Sequence, residues 1–570
     1  MNRPTPALVT PQAARRLPRW VPWLLVAVYV LPGFWGRDPW RGADLTSLAV
    51  MLDMHGGGPW LLPQVLGEAV LPLAWLPYWL GATAIECLPL PTLVAARLPF
   101  MVALGLTLAC TWYGTYRLAR LPTAQPLAPA LGEAVAPVDY ARAVADGALL
   151  ALVATLGLAM LAHETTPTAL QLAGVTLWGW AGTLGWAPAA ARGVASASLL
   201  AIGATWAGAG ILSLSGAPWL VLPLGLAHAV WWWRTGVRRA QIVLALAGAA
   251  AALAAAWALL PTGLGWSAFG WPDGFDVLDT AAWRSLGRLL AWFVWPSAAL
   301  ALWALWRWRA HLRSPHIGWP LTQTLIVLLA SVADGANDRV LVLALPSIAT
   351  LAAWALPTLR GSLSAAIDWF ALLLYSGAAV IVWVIWIAMM TGVPAKPAAN
   401  VARLVPGFEP ALNPLPLGVA LAGTAAWLAL VAWRLGRHAP ALWKGLVLSA
   451  AGFTLNWLLL MTLWLPLLNW GLGLRPISER IARLVPTQAC VAVTGLSHGD
   501  IGALRLHGGL HLQRLGSHEA QRCPLLVAGP RTRGLDPSQW RLRADLPRLR
   551  ENRERWQVYE RVAPAADSAS

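Results

Sequence analysis

Lysine is almost missing: Lys396 and Lys444 are the only two among 570 residues. The formal net charge of +16 therefore rests on arginine. Those arginines fall between apolar stretches and in the last part of the chain, which is a helix-flanking pattern. A nucleic acid is excluded as partner, since its binders gather basic residues on one face. Charge of either sign is scarce, at 12% of residues, roughly half the share of a soluble domain. Cysteine is rare, with four residues and no CxxC, so neither a disulfide scaffold nor thiolate zinc is expected. No glycine-rich phosphate-binding loop is present. What abounds is apolar: 58% hydrophobic residues, 38 tryptophans and a mean hydropathy of +0.59. No compact water-soluble fold hides that much apolar surface, and a disordered chain is poor in it. The fold class is an all-α polytopic membrane protein.

Apolar runs long enough to cross a bilayer number about thirteen. They lie at 20–36, 92–118, 144–162, 169–187, 193–213, 217–233, 240–260, 286–308, 318–332, 339–357, 367–391, 415–434 and 441–466. The first has a basic lead-in but no small-residue cleavage site, so it reads as an anchor and not a signal peptide. Arg15, Arg16 and Arg19 precede it, and Arg117, Arg120 and Arg142 flank the second connection. Arg192, then Arg234, Arg238 and Arg239, then Arg307, Arg309 and Arg313 follow in alternate connections. Arg360 and finally Arg434, Arg437 and Lys444 complete the series. This alternation predicts a multi-pass membrane protein with a cytoplasmic N-terminus. Acids such as Asp38, Asp44, Glu164, Asp334 and Glu409 collect on the other face, and an odd helix count puts the C-terminus there too.

Residues 1–470 form the membrane domain, with an outer loop at 37–91, and 471–570 a small α/β domain on the periplasmic face. CVAVTGL and CPLLVAG read as two of its strands. Cys490 and Cys523 head those strands; they are bridged or remain two buried thiols, and an oxidising compartment favours the bridge.

The first outer loop is the most informative stretch. LTSLAVMLDM, from Leu45 to Met54, predicts a helix along the membrane surface, with Asp44 placed to cap it and His55 and the glycines to end it. A carboxylate there can instead take a proton from an arriving hydroxyl. His163 and Glu164 sit where a span meets the outer face, as a functional pair or as a loop anchor. Arg339 opens a helix beside Asp334 and Asp338; it either grips a phosphate or pairs with those acids. Lys396 is placed to meet a lipid phosphate. In WPDGFDVLD, Asp273, Asp276 and Asp279 read as a turn before a cation site.

GRDPWRGADLTSLAVMLDM followed by GGGPWLLP resembles the first outer loop of the GT-C glycosyltransferases. The nearest resemblance is to the aminoarabinose lipid A transferases and the protein O-mannosyltransferases. HETTPTALQLAG, NDRVLVLALPSIATLAAWAL and IDWFALLLYSGAAVIVWVIWIAMMTGVPAK agree with it. The resemblance implies transfer of a sugar from a polyprenyl-phosphate donor to an envelope acceptor (lipid A, a glycolipid or a protein) on the periplasmic face. It implies a first-loop acid as the catalytic base, for which Asp44 is the candidate. Arg339, His163, Glu164 and Lys396, read from their places at helix mouths, are the candidate substrate contacts. Asp53 and Glu68 are the next acids in line for these roles. No cofactor is required, and a divalent metal is compatible. The family's first loop carries an acidic pair whose leading Asp is taken as catalytic. Here the unbroken spacing puts Ala43 at the first position and Asp44 at the second, and a one-residue shift would bring Asp44 to the first. Ser215 stands where relatives often have Lys-Gly. Two other readings remain: a lipid-linked saccharide transporter or flippase, and a non-catalytic lipid-binding relative. Asp44, Glu164 and Arg339 are expected to face one outward cavity.

Overall fold

The computed structural model describes residues 4–40, 42–127, 133–186, 196–270, 279–359, 361–436, 441–486, 489–547 and 555–562. Arg192, Arg360, Arg437, Asp273 and Asp276, used in the charge pattern and the turn reading, lie outside them.

Helices dominate because the apolar runs leave their backbone groups no partner but each other. Pro137, Pro167, Pro218, Pro315 and Pro414 stand in first turns, where a missing N–H costs nothing. Thr107, Thr111 and Thr115 each donate to the carbonyl four residues earlier, so a polar stripe survives inside the helix Thr92–Ala119. Among the described residues, 6 helices are long and apolar enough to cross a membrane, or up to 8 if each of two bent pairs is one span. Trp20–Phe34 and Ser198–Leu214 are shorter apolar helices. The chain is a multi-pass membrane protein.

Burial separates a central helix from peripheral ones. The span Asp338–Thr358 is 94% buried over its apolar window, whereas Pro414–Arg434 is 11% buried. On Ser362–Thr391, Trp369, Phe370, Leu373 and Val380 are exposed, an apolar face that only lipid solvates.

Beyond the helix Arg475–Leu484 the chain forms a mixed five-stranded sheet. A small hairpin in the first loop supplies β1 (Gln64–Val65) and β2 (Glu68–Ala69). The sheet contains β3 (Cys490–Thr494), β4 (His511–Arg514), β5 (Leu525–Ala528), β6 (Trp540–Pro547) and β7 (Arg555–Arg561). Its order is β4-β3-β5-β7-β6, with β3 parallel to β4 and β5 and the last two pairings antiparallel. Val491 aligns with Leu512 and Leu525. Alternation gives the sheet two faces. Val491, Val493, Val527 and Val558 join the apolar cluster of the membrane helices, while Ala492, Cys523, Leu526 and Trp540 form a separate one. Cys490 and Cys523 are joined in a disulfide with Cα atoms 5.0 Å apart, inside the span that such a bond requires.

The first-loop helix runs Gly42–His55, three residues longer at its start than the sequence pattern implied. Nor does it lie open on a surface. Leu45, Leu48, Ala49, Val50, Met51 and Met54 are all buried. The helix His498–Gly508, opened by a capping box between Ser497 and Asp500, covers it. Glycine makes that contact close: a Cβ on Gly502 would stand 2.8 Å from Ala49 Cβ and from the Leu45 carbonyl oxygen.

Candidate functional site

The site grows from the turn after the first helix. Gly36, at φ +73°, lets the chain reverse there and turns Arg37 and Asp38 inward. Both are 2% exposed. Arg37 donates through Nη2 to the His163 carbonyl oxygen, and Arg97 donates through Nη1 to the Arg37 and Phe34 carbonyl oxygens. Arg97 is itself buried, and its Nε and Nη2 find no hydrogen-bond partner.

Asp44 stands in the first turn of its helix, 1% exposed, and caps nothing. Its Oδ1 accepts from Thr165 N at 2.8 Å and Thr165 Oγ1 at 2.5 Å. Its Oδ2 has no hydrogen-bond donor and lies 3.8 Å from Arg37 Nη2. One oxygen is thus fixed and the other is left for a proton. Ala43, one position earlier, is exposed. The helix register therefore directs Asp44 inward and position 43 outward.

Glu164 is 1% exposed and meets Arg339 Nη2 at 2.8 Å. Arg339 also approaches Thr166 Oγ1 at 3.5 Å and keeps 23% exposure. It pairs with neither Asp334 nor Asp338; Asp334 accepts from Asn337 instead. Asp44 and Arg339 are therefore held by adjacent residues, Thr165 and Glu164, whose Cα atoms are about 3.8 Å apart.

His163 lies behind this group. Its ring packs against Tyr29, Phe34 and Trp457, and Nε2 lies 3.2 Å from the Tyr29 carbonyl oxygen. Burial, then the Arg37 charge, push its pKa down to about 3, so the ring stays neutral. The ring thus packs between the first helix and Trp457. Lys396 is exposed on the helix Ala395–Leu404 and touches none of these groups. Ser215 is buried, its hydroxyl without a partner.

Asp53 and Glu68 meet side chains of the C-terminal domain. Asp53 Oδ1 accepts from Arg505 Nη1 at 2.8 Å. Glu68 pairs with Arg514 and meets His498 Nε2 at 3.3 Å. Burial raises the Glu68 carboxyl, but Arg514 and then the His498 contact outweigh it and hold it below its ordinary value. Asp38 binds Arg475 at 2.9 Å and 2.8 Å, which raises that guanidinium further. Asp38, Asp53 and Glu68 thus fasten the C-terminal domain, while Asp44 turns to the 163–166 segment. Among the described residues no group of three or more His, Cys, Asp or Glu side chains is placed to hold a metal. The described cavities do not include Asp44, Glu164 or Arg339 in their walls.

Sequence reasoning missed Arg37 and Arg97. The signal for Arg97 was present: a lone arginine in TLVAARLPFMV is a charge inside a span, which marks function by default.

No family model matches the sequence, and no curated protein matches it. Solved structures do. ArnT from Cupriavidus metallidurans bound to undecaprenyl phosphate superposes with a TM-score of 0.60 and 16% identity, over 95% of this chain and 98% of that one. The chain shares the fold of this ArnT. The apo form of the same ArnT gives the same TM-score and identity over 97% of its length. The archaeal oligosaccharyltransferase AglB from Archaeoglobus fulgidus reaches a TM-score of 0.39 at 12% identity, over 90% of this chain and 70% of that one. At 16% identity the likeness to ArnT is one of fold, and the chemistry rests on this chain's own residues.

Proposed function

We propose that this chain is an integral-membrane glycosyltransferase that moves a sugar from a polyprenyl-phosphate carrier to an envelope acceptor. The observation that carries the reading is Asp44: a buried carboxylate with one oxygen fixed by Thr165 and the other open beside Arg37. The likeness of fold to ArnT supports it.

In the reaction, the acceptor hydroxyl gives its proton to Asp44 Oδ2 as its oxygen attacks the anomeric carbon. The bond from that carbon to the carrier phosphate breaks, and the configuration inverts. Polyprenyl phosphate leaves with the bonding electron pair. Arg339, Arg37 and Arg97 supply fixed positive charge for the leaving phosphate. Glu164 orients Arg339 and leaves its exposed edge free. A metal is not needed for this charge balance, although a divalent ion is compatible with it.

Thirteen membrane crossings, a cytoplasmic N-terminus and a periplasmic C-terminal domain belong to the same proposal. The alternating arginine connections support that orientation, and the Cys490–Cys523 bond fits an oxidising compartment. Lipid A, another glycolipid or a protein are the acceptor classes.

The second reading, a non-catalytic relative that binds a lipid phosphate, draws on Ala43 and Ser215 standing where polar family residues are expected. Purified protein in liposomes, given undecaprenyl-phosphate-linked sugars and each acceptor class, separates the two. Transfer coupled one-to-one to release of undecaprenyl phosphate is expected. Binding of the donor without release, for every sugar and acceptor, would establish the second reading.

A further inference from the structure

A cavity of about 250 Å³ opens at the end of the helices remote from Asp44. Its walls come from the lead-in to Trp20–Phe34, the later half of Thr92–Ala119 and the start of Pro137–Ala154. Along the 15-residue helix Trp20–Phe34, Arg19 and Arg37 are at opposite ends, roughly 22 Å apart at 1.5 Å per residue. The cavity is therefore separate from the Asp44 group.

Its charge is one-sided. Arg16, Arg19 and Arg142 line it against a single acid, Asp146. Both oxygens of Asp146 are already taken, one by Leu17 N at 3.2 Å and the other by Trp112 Nε1 at 2.9 Å. Among the described residues none of the three arginines has a carboxylate within ion-pair distance. Three cations against one anion leave two positive charges facing about eight waters' worth of space, at ~30 Å³ each. Apolar residues complete the site. Trp23 and Tyr113 line the cavity yet are 74% and 53% exposed, and on helices of a membrane protein such aromatic rings belong at headgroup depth.

We propose that this cavity binds the phosphate head of an anionic glycerophospholipid, with its acyl chains lying in the bilayer against Trp23 and Tyr113. Cations gathered at the arginine-rich helix ends face the anionic leaflet, so the phospholipid of that leaflet is the occupant that charge and position favour. The volume accepts a phosphate and a glycerol, and the cavity opens beside the exposed Trp23 and Tyr113, which fits a head-in, tail-out posture. This site is independent of sugar transfer; it ties the first helix to its two neighbours.

The test uses the full-length protein in detergent with added phosphatidylglycerol, phosphatidylcholine or undecaprenyl phosphate, read by native mass spectrometry. Wild-type protein is expected to retain phosphatidylglycerol in preference to phosphatidylcholine. Arg16→Gln/Arg19→Gln/Arg142→Gln should weaken that retention about 100-fold, an arginine near an anionic bilayer being worth roughly five-fold. Arg541→Gln/Arg543→Gln, on strand β6, should leave it unchanged. Equal retention in wild type and triple variant overturns the site. Arginine-dependent retention of undecaprenyl phosphate in place of phosphatidylglycerol overturns the occupant. Should the triple variant fail to purify as a single species, Arg16→Gln/Arg19→Gln decides, because both side chains are exposed. About 25-fold weaker retention is then expected, and no change overturns the proposal.

Discussion

Asp44 and Thr165 stand 121 residues apart in the chain and meet through two hydrogen bonds, from the Thr165 amide at 2.8 Å and its hydroxyl at 2.5 Å. The pairing sets which carboxylate oxygen is occupied and which is open. It also brings the first loop against the segment whose previous residue, Glu164, holds Arg339.

Thr165→Val keeps the shape and the amide bond but removes the hydroxyl donor. A hydrogen bond to a charged group is worth about 1.5–3 kcal/mol. The carboxylate is then free to turn, and kcat should fall about 10- to 100-fold with KM little changed. Steady-state kinetics checks this; an unchanged kcat removes Thr165 from the positioning of Asp44.

Arg339→Ala leaves Glu164 buried without this partner, a costly state. With Arg339 still 23% exposed, the expected loss is about 2 kcal/mol, less than for a fully buried pair. Glu164→Gln/Arg339→Ala should recover part of it. Thermal melts of the single and double variants decide, and equal melting temperatures for both would remove the coupling.

Much of the helical layout was legible because apolar runs and flanking arginines are local signals. The strands β3 and β5 were legible for the same reason: CVAV and LLVA are short apolar runs bounded by turns. The uses of Asp53 and Glu68 were not. Their partners, Arg505 and Arg514, lie more than 400 residues away, and no local pattern announces such a pairing. For Asp44 the sequence leaves a helix cap and a base side by side, because its partner Thr165 lies 121 residues away. Arg97 was legible as a charge in a span but was overlooked among loop arginines.

Gly502→Leu tests whether the C-terminal domain holds the Asp44 helix in place. The added side chain starts 2.8 Å from Ala49 Cβ, and backbone there cannot yield cheaply. Hydrogen exchange should show protection of amides 42–55 falling by about tenfold or more, a local opening made easier. Transfer should fall with it. Full protection in this variant would mean the two helices are held together by other contacts.

His507 gives the domain a pH dependence of known sign. Burial lowers its pKa to about 4, with Asp38 acting to raise it and Arg475 to lower it. Because the unfolded side chain titrates near 6.5, the unfolded state binds more protons between those values. Stability is thus fully present above about pH 6.5 and declines as pH falls towards 4. Melting temperatures across this window should drop for wild type and drop less for His507→Phe. An identical slope in both proteins would assign the effect to other groups.

The most direct measurement is sugar transfer by Asp44→Asn in liposomes containing an undecaprenyl-phosphate-linked donor, beside binding of undecaprenyl phosphate to the same protein. Asparagine preserves the size and can still accept from Thr165, but it cannot take a proton. A base at Asp44 predicts transfer lowered by about 10²–10⁴-fold, with undecaprenyl phosphate binding within about threefold of wild type. Transfer at the wild-type rate, with binding intact, would contradict the assignment of Asp44.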